Sequence, residues 1–174
     1  MRLLLALFLF MPSSPLPIVL DTNVVLDILH FQDKAAAPLA KAIAEGRLIA
    51  LRDQSSLTEL RRVLTYPVLN IAPEQAALLL EHYLALTREV ACPALKTTGA
   101  SLLPRCRDPD DQPFLELALR GHALWLVSKD KEVLRMRQQN RPPLPFAILT
   151  HNEAAARLAK PDGNVHAQNQ SPLP

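Results

Sequence analysis

Four short apolar runs, each followed by a segment of helical character, constrain this chain more than any other feature of its sequence. Ile18 to Leu20, Arg47 to Leu51, Ala123 to Val127 and Phe146 to Thr150 are the runs. They are short and rich in bulky apolar residues, and they read as buried strands. Between them lie helical segments at Val24 to His30, Lys34 to Gly46, Ser55 to Pro67, Ala72 to Val90 and Asp108 to Gly121. A short helix follows "SKDK", and "NEAAARLA" closes the series. Gly46 and Gly121 are natural helix stops, and Pro73 suits a first turn. Ser56 and Glu59 have the spacing of a capping box for the third helix. Strands that alternate with helices predict an α/β fold, a three-layer sandwich. Its central, mostly parallel sheet has about four to five strands, flanked by helices.

Length and composition agree with one folded domain: 174 residues, 49% apolar and 21% charged. A formal net charge of +2 permits a phosphate-bearing partner without demanding one. Cys92 and Cys106 match no zinc or redox spacing, so a reducing cytoplasm is the expected location. "MRLLLALFLFM" resembles the front of a signal peptide but is too short to span a bilayer. No small-residue cleavage site follows it, and a core strand begins within a few residues of Pro17, so Met11 is the favoured alternative start and no membrane association is expected. The expected organisation is an extension over residues 1–16, one folded domain over 17–158 and a disordered tail over 159–174.

Sites in open parallel sheets form at the carboxyl ends of the strands. Asp21 directly follows the first strand, and Asp130 follows the third by three residues. Asp111 opens the helix leading into that third strand, and Glu59 lies in the first turn after "RLIAL". Each has an ordinary explanation: Asp21, Thr22 and Asn23 are good cap residues, Glu59 suits a helix N-terminus, and Asp130 suits a turn. Four in order on one rim are harder to explain as caps. Clustered carboxylates resist joint ionisation, and a hard divalent cation with oxygen ligands is the usual compensation.

"VLDTNVVLDIL", "SSLTELRRVL", "CRDPDDQPFLELALRGHALWLVSKDKEVL" and "FAILTHNEAAARL" resemble the successive motifs of the PIN-domain family. More narrowly, they resemble the bacterial subgroup of toxin components of toxin–antitoxin systems. The resemblance runs from about Ile18 to about Leu158. It implies a PIN-like sandwich and a metal-dependent endoribonuclease acting on single-stranded RNA. By the same resemblance Asp21, Glu59, Asp111 and Asp130 are the catalytic acids, which hold Mg²⁺ or Mn²⁺. Asn23 and Ser128 would support them as neighbours. Asp108, Asp110 and Asp111 are crowded, so the third ligand is open between Asp110 and Asp111; the apolar spacing of Phe114, Leu115 and Ala118 favours Asp111. Lys129, Lys131, Arg61 and Arg62 are candidate RNA contacts. A small antitoxin partner is implied, and homodimers are common in the family.

Two other readings compete. A haloacid-dehalogenase-type phosphatase needs a second Asp two residues after the first, and Asn23 stands there. Dinucleotide binding fails because the four glycines form no G-x-G-x-x-G. A non-catalytic RNA- or antitoxin-binding module is the rival from another class. Glu116 and Asp27 read as solvated surface positions, and the histidines form no triad or ligand spacing.

Overall fold

A computed structural model describes residues 14–91, 103–139 and 143–159. Most of the N-terminal extension, Cys92, the first part of the segment from Thr97 to Arg107, and the tail from residue 160 lie outside the described residues.

The chain runs β1 (Leu16–Leu20), α1 (Thr22–Leu29), α2 (Ala37–Ala44), β2 (Leu48–Arg52), α3 (Gln54–Leu64), α4 (Pro73–Leu86), β3 (Thr87–Glu89), α5 (Gln112–Arg120), β4 (Trp125–Val127), α6 (Lys131–Gln139), β5 (Ala147–Leu149) and α7 (His151–Leu158). A single turn of 3₁₀ helix at Pro67–Leu69 joins α3 to α4. All strand pairs are parallel, in the order β3-β2-β1-β4-β5.

The three layers follow from the two-residue period of the strands, which sends alternate side chains to opposite faces. Ile18, Leu20, Trp125, Val127 and Leu149 pack with α1, α2, α3, α4 and α7 on one face. Val19, Leu51, Leu126 and Ile148 pack with α5 and α6 on the other. Both faces of β1 and β4 are covered, so their side chains are buried throughout Ile18 to Leu20 and Trp125 to Val127.

Two local expectations are corrected. The long helix expected over Ala72 to Val90 ends at Leu86, and Thr87–Glu89 is an edge strand instead. It pairs Thr87 with Ala50 and Glu89 with Arg52, and the Arg52 side chain ties down both the Thr87 carbonyl and the Glu89 carboxylate. The capping box of α3 is Asp53 with Ser56, not Ser56 with Glu59. The Asp53 carboxylate accepts from the Ser56 N–H at 2.9 Å, and Ser56 Oγ accepts from the Asp53 N–H at 3.0 Å. The shift has a simple cause: β2 extends to Arg52, so the first non-helical residue after it is Asp53. Gly46 does close α2, at φ +70°, in the left-handed region that suits glycine.

Candidate active site

Strand register builds the site. Leu20 lies opposite Val127, so the residues that follow them, Asp21 and Ser128, stand side by side at the carboxyl rim. The Asp21 N–H continues the ladder to the Val127 carbonyl at 2.9 Å. The Asp21 carboxyl is 4% exposed and accepts a hydrogen bond from Ser128 Oγ at 2.7 Å. Its backbone begins α1, but its side chain makes no capping hydrogen bond. The cap explanation therefore accounts for the position of Asp21, and for its carboxylate only through the nearby Asn23 N–H. Burial pushes that carboxyl above the usual range, and the Ser128 hydroxyl opposes the shift.

Ser128 has a second role. Its Oγ also accepts from the Asp130 N–H at 2.9 Å, so one hydroxyl links two acids from different strands. Asp130 Oδ1 accepts from the Glu132 N–H at 2.7 Å and opens α6. The turn role anticipated for Asp130 is real, and it occupies one oxygen.

Asp111 enters from the other layer, at the start of α5, again without a side-chain capping hydrogen bond. Its carboxyl is pushed up to about 7, first by burial, then by the charges of Asp130 and Asp21, with Asp108 and Asp110 adding less. Among the described residues no Lys or Arg is paired with Asp21, Asp111 or Asp130. Asp110, the alternative third ligand, faces elsewhere: its side chain is 68% exposed and paired with Arg62.

Glu59 is not drawn into this group. Its carboxylate is forked onto Arg62, with Arg62 Nη2 at 2.7 Å, and the same guanidinium reaches Asp110 at 3.2 Å. Arg62 is thereby occupied, and Lys129 is too. Its ammonium lies 2.8 Å from Asp27 Oδ1 and 2.6 Å from Oδ2. Asp27 was read as a surface residue, yet it is 4% exposed, because α1 packs that turn against the β4–α6 loop. Arg61 and Lys131 are exposed and have no ion pair among the described residues. The Asn23 side chain is exposed; it is the backbone N–H that faces Asp21 and favours its charged form.

Two residues escaped the sequence reading. Asp53 ends β2 as Asp21 ends β1, and its buried carboxylate pairs with Arg120 from the last turn of α5. A strand-then-Asp pattern at Arg52–Asp53 was the available signal. Beside this pair, α3 and α5 border an open cavity of about 570 Å³ that reaches Glu59 and Asp110.

Three acids without a basic partner are a donor set suited to a hard divalent cation. Among the described residues, however, no three His, Cys, Asp or Glu side chains form a ready ligand cluster. Mg²⁺ commonly uses one or two carboxylates and retains several waters, so the residues fit such an ion without closing a full cage around it.

A family model described as PIN domain matches residues 17–132, which contain Asp21, Glu59, Asp111 and Asp130. The chain belongs to the PIN-domain family. Members of that family are generally nucleases. No curated protein matches this PIN domain. Among solved structures, VapBC2 from Rickettsia felis bound to a DNA fragment from their promoter is similar in fold. The TM-score is 0.57 at 14% identity, covering 78% of this chain and 98% of that one. In this PIN domain no helix among the described residues is long and apolar enough to cross a membrane.

Proposed function

We propose that this PIN domain is a Mg²⁺- or Mn²⁺-dependent endoribonuclease that hydrolyses single-stranded RNA, and that it serves as the toxin of a toxin–antitoxin system. The observation that supports the chemistry is the convergence of Asp21, Asp111 and Asp130 from β1, α5 and β4 on one rim, where their charges meet without a cationic partner among the described residues. The toxin role rests on the order of the motifs and on the fold shared with the VapBC2 structure.

Asp21, Asp111 and Asp130 would hold the ion, which when bound neutralises charge at the scissile phosphate and acidifies a water ligand. The protein's part is positioning. Ser128 fixes the Asp21 carboxylate and the Asp130 backbone together, and the first turn of α6 fixes one Asp130 oxygen. Arg61 and Lys131 meet RNA phosphates at the rim. Glu59 would orient the attacking water once its carboxylate is released from Arg62.

The test is cleavage of several single-stranded RNAs with Mg²⁺ or Mn²⁺, alongside EDTA and Asp21→Asn controls. Wild type should cut only with metal, and Asp21→Asn should lose at least about 100-fold while keeping its melting temperature. In cells, wild type expressed alone should arrest growth and Asp21→Asn should not. Full metal-dependent cleavage by Asp21→Asn would refute the assignment.

A further inference from the structure

The cavity between α3 and α5 contains a carboxylate that the proposed chemistry leaves unused. Four carboxylates line it. Asp53 is paired with Arg120, and Glu59 and Asp110 share Arg62. Glu116, on α5, has neither an ion pair nor a hydrogen bond among the described residues. Gln54, at the start of α3, also lines it; its amide nitrogen faces Thr58 Oγ1 at 3.5 Å, and its carbonyl oxygen has no hydrogen bond among the described residues. Pro113 and Phe114 supply an apolar wall.

This lining selects a class of ligand. An excess of acceptors and acids rejects a phosphate. A metal is disfavoured as well, because Asp53, Glu59 and Asp110 are already neutralised by Arg120 and Arg62. A planar group with an apolar face and N–H donors on its edge meets both walls, and unstacked bases of single-stranded RNA are such groups. The cavity reaches the N-terminal end of α5, where Asp110 lines it and the next residue, Asp111, stands with the rim acids.

We infer that the cavity is a base-binding subsite that takes a guanine of the RNA substrate, with Glu116 as the reading group. The inference rests on the nuclease reading above and adds its specificity. Among the four RNA bases only guanine presents two adjacent N–H donors, N1–H and the N2 amino group, on its Watson–Crick edge. One carboxylate can accept both at once. Adenine and cytosine offer a single donor beside an acceptor, and uracil offers one N–H between two carbonyls, so each leaves a Glu116 oxygen facing a lone pair or nothing.

The experiment reads binding in EDTA, by fluorescence anisotropy, so that it does not depend on cleavage. The probes are labelled short RNAs identical except for one position carrying guanine, inosine, adenine or uracil. Inosine differs from guanine only in lacking the N2 amino group. Wild type should bind the guanine RNA about tenfold more tightly than the inosine RNA. Glu116→Gln should erase that difference, with its melting temperature checked against wild type. Equal binding of guanine and inosine by wild type, a preference that survives in Glu116→Gln, or no binding of any probe would overturn the inference. Adding Mg²⁺ separates the two claims. Cleavage without a guanine preference removes the subsite and leaves the nuclease, whereas guanine-selective binding without cleavage removes the nuclease and leaves the subsite.

Discussion

Asp111 is held with its carboxyl pushed up to about 7, and that links its charge to folding. In the unfolded chain the same group ionises near 3.8. Between those values the folded protein keeps a proton that the unfolded chain has released. The stability contributed by the neutral form is complete below about 3.8 and lost as pH rises through about 7. Asp21 is shifted in the same direction. Glu153, held down to about 2 chiefly by Arg137, acts in the opposite sense but only below about 4.5, outside this window. Metal-free protein should therefore melt at a lower temperature at pH 8 than at pH 5, and Asp111→Asn should flatten that difference. Mg²⁺ should raise the melting temperature more at pH 8, where the carboxylates are ionised. A pH slope unchanged in the variant would contradict this account. The three rim acids were legible in the sequence because each follows a strand or opens a helix, and a parallel sheet sends all such positions to one edge. The direction of a long side chain is not legible in that way. Glu59 is in place along the chain but turned onto Arg62, and Lys129 is committed to a buried carboxylate on α1 that is distant in sequence.

One residue, Asp53, adds a polar link from α3 to both β2 and α5. Asp53 ends β2, caps α3 and neutralises Arg120, whose side chain is 8% exposed. Removing the arginine would leave the Asp53 charge buried and alone. Arg120→Met should cost about 3–5 kcal/mol, measurable by urea denaturation. Asp53→Asn keeps a good cap residue but strands the arginine, so it should also destabilise the fold. Replacing both partners with apolar residues should cost less than the two single losses combined, because no uncompensated charge remains. A neutral effect of Arg120→Met would show that the pair carries little. At this scale the helices and the buried apolar strands were readable, including the three-residue β4 and β5, and the exposed polar strand β3 was not. Thr87–Glu89 continues the helical register of α4 without a break, and three residues hold no period of their own. They form a strand only because the edge of β2 lies beside them, a fact about the assembled sheet. The displaced cap of α3 is the same kind of error: the box moved because β2 was one residue longer than its apolar run.

With a formal net charge of only +2, the whole molecule attracts RNA weakly, and binding depends on where its cations are free. Arg61 and Lys131 are exposed without ion pairs among the described residues, whereas Arg62 and Lys129 are neutralised by neighbouring acids. Arg61→Ala and Lys131→Ala should each reduce the slope of log K against log salt by about 0.7, the increment for one phosphate contact on a single strand. Arg62→Ala should change it less. Equal slopes across all three variants would mean that the ion pairs open freely in solution. The layered architecture itself was fully legible, since alternating short apolar runs and helices permit few other arrangements. The borders of the sheet carry one more consequence. Both outermost strands, β3 and β5, are three residues long, and β3 carries Arg88 and Glu89. An edge that short offers a neighbouring molecule almost no ladder to extend, and its charges penalise a dry contact. Short edges and the charges on β3 together defend the sheet against stacking into aggregates.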